Sequence, residues 1–260
     1  AAPGSTDFAI FIKEIRREMT TKAGQKCTAV RRIMVPEKYL EDVQIALGKS
    51  LGQTTLGDPA AEGVRMGAIV NRAQLDVVRN RVVEMAKKTP IVVGDLDKFD
   101  VIGADKSKGA FLAPILMLND DPFNNTDSHD IECFGPVSTL MPYNGIDQAV
   151  ELAKMGKGSL VSTIATSDVN IATEYAVEAA AYHGRILVLN EESAPESTGH
   201  GSPMPQLMHG GPGRAGGGEE LGGIGSVKHY LQRTAIQGHP SMLTEITQRY
   251  QYGGVYKEKD

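Results

Sequence analysis

The fold that this sequence predicts depends on residues 20–29, which read Thr20-Thr21-Lys22-Ala23-Gly24-Gln25-Lys26-Cys27-Thr28-Ala29. Before this stretch, apolar residues recur at helical intervals, as they do on a helix with one buried face: Phe8, Phe11, Ile12, Ile15 and Met19. Gly24 ends that helix, and the largely β-branched run at 30–35 predicts a strand that Pro36 ends. Cys27 therefore lies on a helix-to-strand connection, where a thiol can face a cleft.

Positive charge lies close to Cys27 in the sequence, at Lys22, Lys26, Arg31 and Arg32. A neighbouring cation favours the thiolate over the thiol, and the thiolate is the nucleophilic form. The alternative is a buried structural cysteine, because most single cysteines in intracellular proteins serve packing. Local charge alone does not decide between a nucleophile and a packing residue.

Composition narrows the class of protein. The chain has 260 residues, of which 41% are hydrophobic, enough for one large domain or two small ones. Its net charge of −5, with no denser basic cluster than Arg31-Arg32 or Lys87-Lys88, argues against nucleic acid and anionic membranes as main partners. Two cysteines without paired spacing, no signal peptide and no membrane-length apolar run predict a cytoplasmic protein. The six histidines lack ligand spacing, so no metal site is predicted.

Helix and strand patterns alternate along most of the chain. Helical periodicity covers 37–51, 72–88, 146–154 and 168–182, and apolar strand patterns cover 91–93, 111–118, 137–143, 160–166 and 186–189. Near-continuous apolar strands between helices are typical of a mostly parallel sheet that is covered on both faces. The sequence therefore predicts an α/β fold.

The last third of the sequence is less regular. Periodicity is absent from 191–225, and its glycine-rich run at 210–218 is not predicted to bind phosphate, because no strand directly precedes it and Glu219-Glu220 follow it. Residues 227–236 alternate like an edge strand, and 240–250 predict a short helix before a polar tail. The predicted organisation is a core domain at 1–225, a strand segment at 226–240, and a helix with the start of a linker at 241–260.

Two motifs resemble signatures of the aldehyde dehydrogenase superfamily. Gly24-Gln25-Lys26-Cys27-Thr28-Ala29 resembles the segment that carries the nucleophilic thiol, and Glu132-Cys133-Phe134-Gly135-Pro136-Val137, further along the chain, resembles the Glu-x-Phe-Gly-Pro-Val signature. The resemblance implies that Cys27 attacks the aldehyde, that Glu132 holds the nicotinamide ribose hydroxyls and that Phe134 packs beside the nicotinamide. Gln74 resembles a glutamine that reaches the cofactor, although Ala68 stands where that motif has proline. The alternative for Gln74 is a solvated first-turn residue.

The same resemblance implies a fold, a cofactor and an assembly. The fold is the aldehyde dehydrogenase catalytic domain, a mostly parallel Rossmann-like sheet with helices on both faces and a C-terminal oligomerisation strand. The cofactor is NADP or NAD. Asn190 supports the site architecture, the glycine-rich loop borders the aldehyde entrance, and the strand at 227–236 makes subunit contacts, so a homo-oligomer is expected.

Several segments resemble a narrower group, the dehydrogenase half of the PaaZ family of bifunctional phenylacetate-degradation proteins: 18–29, 190–193, 198–203 and 209–223. This resemblance implies oxidation of a CoA-linked semialdehyde with NADP, followed by a hydratase domain whose linker begins near Asp260. In the family, the general-base glutamate, the oxyanion-hole asparagine and the adenine-binding domain precede the cysteine motif by more residues than this sequence holds. We therefore expect the 260-residue chain alone to be inactive.

Three alternatives stay open at this point. A CoA-acylating aldehyde dehydrogenase would use the same thiol and pass the acyl group to CoA. A semialdehyde dehydrogenase of a benzoyl-CoA route would differ only in substrate. A non-catalytic oligomerisation module would carry an inert cysteine.

Overall fold

The computed structural model of the chain describes residues 1–201, 204, 206–220, 222–231 and 234–255. The chain forms two compact units, Ala1–Gly222 and Gly223–Asp260. Among the described residues, no helix combines the length and the apolar character needed to cross a bilayer.

The first unit alternates helices and strands, as the sequence predicts. Its helices are α1 (Thr6–Thr20), α2 (Leu40–Gly52), α3 (Arg72–Met85), α4 (Asp127–Asp130), α5 (Gly145–Lys154) and α6 (Val169–Ala179). Its strands are β1 (Arg32–Pro36), β2 (Ile91–Val93), β3 (Ile115–Leu118), β4 (Val137–Tyr143), β5 (Ser159–Ala165), β6 (His183–Leu189), β7 (His209–Gly210) and β8 (Glu219–Glu220). Short 3₁₀ turns occupy Thr21–Gly24, Glu37–Tyr39, Ala180–Tyr182 and Gly213–Ala215.

The strands form a mostly parallel architecture. In the larger sheet the order is β1-β4-β3-β2, with β1, β4 and β3 parallel and β2 antiparallel at the edge. β5 and β6 form a separate parallel pair, and β7 and β8 a short antiparallel one. Parallel neighbours need long crossovers, and the intervening helices supply them. The prediction of an α/β fold with a mostly parallel sheet is confirmed.

Apolar helix faces cover both sides of the larger sheet. On one side, α1 and α2 pack through Met19 and Leu47 against β1 residues Ile33 and Val35. On the other side, α3 packs against β3 in one cluster, while α5 and α6 form a cluster with partly buried residues of β1, β5 and β6: Met34, Ile164 and Ile186. Alternate residues of each strand therefore serve opposite cores, as the two-residue period of a strand requires.

The predicted strand at 111–118 is shorter in the structure. Only Ile115–Leu118 joins the sheet, although Phe111, Leu112 and Ala113 are buried. Pro114 has no N–H group to donate to a neighbouring strand, so the ladder begins after it.

The second unit contains two helices, α7 (Ile224–His229) and α8 (Pro240–Thr247). The prediction of an edge strand at 227–236 is wrong: residues 224–229 are helical, 234–236 have no regular structure, and 232–233 lie outside the described residues. A strand needs a neighbour to satisfy its backbone, whereas here local bonds do so, for example from the Tyr230 N–H to the Val227 carbonyl at 3.2 Å. The predicted helix at 240–250 is present in shorter form, and most of the predicted tail, 256–260, lies outside the described residues.

Candidate active site

The loop that carries Cys27 is built from unusual backbone geometry. After α1 ends, Lys22, Ala23 and Gly24 have successive φ values of 54°, 51° and 69°, all in the left-handed region. Left-handed backbone is costly for residues with a Cβ and persists where the surroundings enforce it, commonly at functional sites. The Cys27 side chain beyond this turn is exposed. The thiol is therefore presented to solvent by a constrained turn.

Gly24 brings the two predicted motifs into contact. A Cβ built on Gly24 would overlap the carbonyl group of Gly135, and one built on Gly135 would press on the Val78 side chain of α3. Glycine at 24 lets the cysteine loop lie directly on the backbone of the second motif, and glycine at 135 lets that backbone pack closely against α3. Two segments more than 100 residues apart in the sequence therefore share one place in the fold.

The second motif has two faces. Glu132 and Phe134 are exposed, whereas Cys133 between them is buried, with its Sγ 3.8 Å from Sδ of Met85. Burial raises the pKa of the Cys133 thiol to about 11. Phe134 has a positive φ of 55° and keeps 39% of its surface exposed, so its ring faces out of the core.

Long side chains from elsewhere hold the backbone of this segment. The side-chain amide of Gln74, in the first turn of α3, donates to the Phe134 carbonyl at 3.2 Å, and Arg81 donates to the carbonyl of Glu132. Arg214 donates to the carbonyls of His129 and Asp130 at 2.6 and 2.7 Å. The Gln74 side chain therefore contacts the backbone of the second motif.

Cys27, Glu132 and Phe134 line one groove of about 630 Å³. Gln74 is not among the residues that line it. Cys27 precedes β1, and Glu132 and Phe134 precede β4, so all three lie at the amino ends of the strands. The structure thus brings three of the four predicted site residues to one cavity, whereas the fourth, Gln74, contacts the backbone of Phe134 without lining that cavity.

Charges around the groove are partly paired. Lys26, next to the thiol, contacts the buried carboxylate of Glu18 at 2.5 Å, so its charge is compensated rather than left free for Cys27. Arg31 lies near Glu132; burial lowers the pKa of its guanidinium, and the attraction of Glu132 opposes that shift. A carboxylate and a cation therefore lie together at the groove beside the exposed Phe134 ring.

His200 connects the cysteine loop to β5. The Thr28 hydroxyl donates to the His200 carbonyl at 2.9 Å, and His200 Nε2 lies 2.8 Å from the Thr163 hydroxyl. His200 is 3% exposed, and burial, reinforced by the charge of Arg185, lowers its pKa to about 4. This histidine is a neutral structural link that holds Thr28, the residue next to Cys27.

Sequence reasoning missed His200, Arg81 and Arg214, because each acts through a backbone carbonyl or hydroxyl that no local pattern reveals. Within the part of the chain that the structure describes, no group of three or more potential metal ligands gathers.

Comparison with known proteins shows which family the chain belongs to. The model of the aldehyde dehydrogenase family matches residues 4–236. The chain belongs to the aldehyde dehydrogenase family. It is 49% identical over 194 residues to "Protein MaoC" of Klebsiella aerogenes, covering 74% of this chain and 56% of that protein. It is 37% identical over 212 residues to 3,4-dehydroadipyl-CoA semialdehyde dehydrogenase of Aromatoleum evansii, covering 82% and 41%.

Solved aldehyde dehydrogenases share the fold. Aldehyde dehydrogenase C from Pseudomonas syringae, crystallised with NAD+ and octanal, aligns with a TM-score of 0.71 at 24% identity, covering 89% of this chain and 44% of that one. Betaine aldehyde dehydrogenase from Staphylococcus aureus aligns with a TM-score of 0.72 at 22% identity, covering 86% and 42%. The chain spans about half the length of the curated relatives that it matches.

The contact between Gly24 and Gly135 predicts the effect of a methyl group. We expect Gly24→Ala to lower the free energy of unfolding by about 1–3 kcal/mol, because alanine is strained at φ 69° and its Cβ meets the Gly135 carbonyl. Urea unfolding measures this change. The matched control is Gly52→Ala at the end of α2, where a Cβ has open space; equal stability of the two variants would contradict the contact.

The two thiols should differ in reactivity. At neutral pH, we expect iodoacetamide to alkylate Cys27 at least about 100-fold faster than Cys133, since a thiol with a pKa near 11 in the core is almost wholly protonated. Peptide mass spectrometry over time gives both rates from one sample. Similar rates would indicate that Cys27 is an inert thiol, as in the non-catalytic alternative.

His200 should make the fold sensitive to acid. Its folded pKa of about 4 lies below the ordinary value of 6.5, so the unfolded chain binds a proton that the folded one excludes. Stability is then lost as the pH falls from about 6.5 to about 4, by up to about 3 kcal/mol. The difference between wild type and His200→Gln in unfolding free energy against pH isolates this effect from the other histidines. Thr163→Val should keep the slope; a His200→Gln slope equal to wild type would refute the assignment.

Proposed function

We propose that this chain is the cysteine-bearing part of the catalytic domain of an NAD(P)-dependent aldehyde dehydrogenase that oxidises a CoA-linked semialdehyde to the acid. The observation that carries the proposal is the single groove lined by Cys27, Glu132 and Phe134. Family membership supports the reaction class. Neither motif alone would distinguish a nucleophile from a packing residue; their convergence on one cavity favours the nucleophile.

Cys27 is the proposed nucleophile. Its thiolate forms a bond to the aldehyde carbon, giving a thiohemiacetal, and its own backbone N–H donates to the oxygen that becomes negative. Loss of hydride from that carbon leaves a thioester on Cys27. Water then releases the acid, a step that needs a general base to take a proton from the water. The exposed thiol on a constrained turn suits this role, because the turn fixes the direction of attack.

The residues on the groove fit a nicotinamide cofactor. When bound, NAD(P) accepts the hydride. The Glu132 carboxylate offers two acceptor oxygens to the ribose hydroxyls, and the exposed ring of Phe134 offers an apolar face to a flat heterocycle. Arg31 places a positive charge near this carboxylate at the groove. Gln74 supports this site by holding the carbonyl of Phe134 and positions the ring.

The proposed substrate is a CoA-linked semialdehyde of phenylacetate catabolism, as in the PaaZ family. The support is the likeness of the segments around Cys27 and Asn190, together with a relative whose name states a CoA-linked semialdehyde. The benzoyl-CoA route is the second candidate, and the same relative favours it equally because the chemistry of the substrate is shared. Substrate profiling separates these routes.

The proposed protein is a cytoplasmic homo-oligomer that also carries a hydratase domain. Support for assembly comes from the second unit, whose exposed apolar side chains include Ile224, Val227, Tyr230 and Leu231. Apolar side chains that are exposed together commonly mark a protein interface.

Replacing the nucleophile tests the proposal. In the protein that carries this sequence, we expect Cys27→Ser to lower kcat for NADP reduction with a CoA-linked semialdehyde at least about 1,000-fold, because the covalent step is lost. Cys133→Ala is the matched control and should stay within about threefold of wild type. Retained turnover in Cys27→Ser would remove Cys27 from the mechanism.

Added CoA distinguishes the acceptor of the acyl group. With a simple aldehyde and CoA, the proposed enzyme forms free acid, whereas a CoA-acylating enzyme forms acyl-CoA. Chromatography of the products separates them, and acyl-CoA as the main product would replace the proposal with that alternative. Activity with NAD in place of NADP measures cofactor choice in the same assay.

A further inference from the structure

Cys27 lies in a tight turn of the chain. The Ala29 N–H donates to the Lys26 carbonyl at 3.1 Å, so residues 26–29 form a turn with Cys27 and Thr28 at its two central positions. The Cys27 side chain is exposed, whereas the side chains of Lys26 and Thr28 on either side of it contact the rest of the fold. The direction of the thiol therefore depends on what holds these two neighbours.

An ion pair holds the residue before Cys27. Lys26 Nζ lies 2.5 Å from Oε2 of Glu18, and the two side chains are only 12% and 6% exposed. Arg17 approaches the other carboxylate oxygen, Oε1, at 3.8 Å. A lysine side chain is long, flexible and seldom buried, so its confinement here requires the carboxylate. The pair fastens the start of the turn to the last turn of α1.

A hydrogen bond holds the residue after Cys27. The Thr28 hydroxyl donates to the carbonyl of His200, whose Nε2 lies 2.8 Å from the Thr163 hydroxyl of β5. The residue before this histidine packs on α1, because a Cβ built on Gly199 would overlap the guanidinium of Arg17. Both anchors of the turn therefore contact the same end of α1.

We propose that Glu18 is a positioning residue for Cys27. Through Lys26 it fixes one side of the turn, while Thr28 fixes the other, so the thiol keeps the direction that attack on an aldehyde carbon requires. Glu18 acts only through Lys26 and exchanges no proton with the reacting groups. This inference rests on the proposed role of Cys27 as the nucleophile.

The position of Glu18 supports a role in orientation rather than in helix stability. It lies in the last turn of α1, where the negative end of the macrodipole repels a carboxylate, and it is buried away from water. Apolar side chains of similar volume commonly stabilise a fold as well as a buried ion pair does, but they do not impose one geometry on the groups that they join. Geometry matters for a nucleophile, since a misplacement of about 1 Å can slow an enzyme about 100-fold.

Single-turnover kinetics test the proposal in the protein that carries this sequence, with the substrate used for Cys27→Ser. We expect Glu18→Gln to slow the formation of reduced cofactor at least about tenfold, with the steady-state KM for NADP within about twofold of wild type. The KM should hold because Glu132 and Phe134 keep their places. The matched control is Glu178→Gln, which removes an ion pair between α6 and Lys154 at 3.6 Å, away from the groove, and should stay within about twofold of wild type.

Alkylation by iodoacetamide shows why turnover falls in Glu18→Gln. We expect Cys27 to react at the wild-type rate or faster, because Lys26 is no longer compensated and its charge favours the thiolate. Cys133 reports on the core in the same sample and should stay as slow as in wild type. The variant then has a reactive thiol and an intact core, and only the alignment with the aldehyde is lost.

An apolar pair gives a second test that does not depend on the folding of Glu18→Gln. The double variant Glu18→Leu/Lys26→Met keeps similar volumes and leaves no buried charge, so its midpoint in urea unfolding should equal or exceed that of Glu18→Gln. We expect its single-turnover rate to fall at least about tenfold as well, because no ion pair orients the turn. Wild-type turnover in this double variant would show that the pair only fills space, and the proposal would be wrong.

Three results with Glu18→Gln would also overturn the proposal. Unchanged turnover would remove Glu18 from the site. A fall in Cys27 alkylation that matches the fall in turnover would mean that Glu18 acts on the reactivity of the thiol and not on its direction. Faster alkylation of Cys133 would mean that the core is disturbed.

The positioning role and the proposed function fail in different ways. Retained turnover in Cys27→Ser would overturn the nucleophile, and with it the role of Glu18. Wild-type turnover in Glu18→Gln, together with an inactive Cys27→Ser, would overturn the positioning role alone.

Discussion

The candidate site depends on the direct approach of two backbones, at Gly24 and Gly135. A Cβ on Gly24 would overlap the Gly135 carbonyl, so the loop that presents Cys27 lies directly on the segment that presents Glu132 and Phe134. The left-handed turn at 22–24 and the positive φ of Phe134 belong to the two segments that meet here. Steric contact fixes this geometry, so a larger residue at position 24 would displace one of the two loops.

The residues that stabilise the fold and the residues of the candidate site lie in different parts of the first unit. The parallel sheet and its helices bury the apolar residues, while the chemistry lies in loops at the amino ends of β1 and β4. In open α/β sheets, ligands usually bind outside the carboxyl ends of the strands. Here the proposed nucleophile, Cys27, lies at the opposite edge, before β1. The two sequence motifs predict a site at this edge because they identify chemistry rather than architecture.

Local sequence patterns were sufficient to predict most helices and strands of the first unit. The two-residue and 3.6-residue periods of residues 6–189 predicted nearly every helix and strand. A buried helix face or strand face requires apolar residues at regular intervals, and these intervals are visible in the sequence. Contacts between residues that are distant in the sequence produce no such periodic pattern. The approach of Gly24 to Gly135 and the role of His200 became visible only in three dimensions. The segment at 227–236 misled for a related reason: alternation suggested a strand, but no described neighbour completes its hydrogen bonds, and local bonding favoured α7.

Residues 132–134 alternate between exposed and buried, so the outer two positions face the groove and the middle position packs in the core. Glu132 and Phe134 face the groove, whereas the sulfur of Cys133 meets only the core beside Met85. Any apolar side chain of similar volume could replace that inner thiol, because its neighbours sense shape and not reactivity. The middle position therefore constrains only volume and polarity, whereas its neighbours Glu132 and Phe134 present their side chains to the groove.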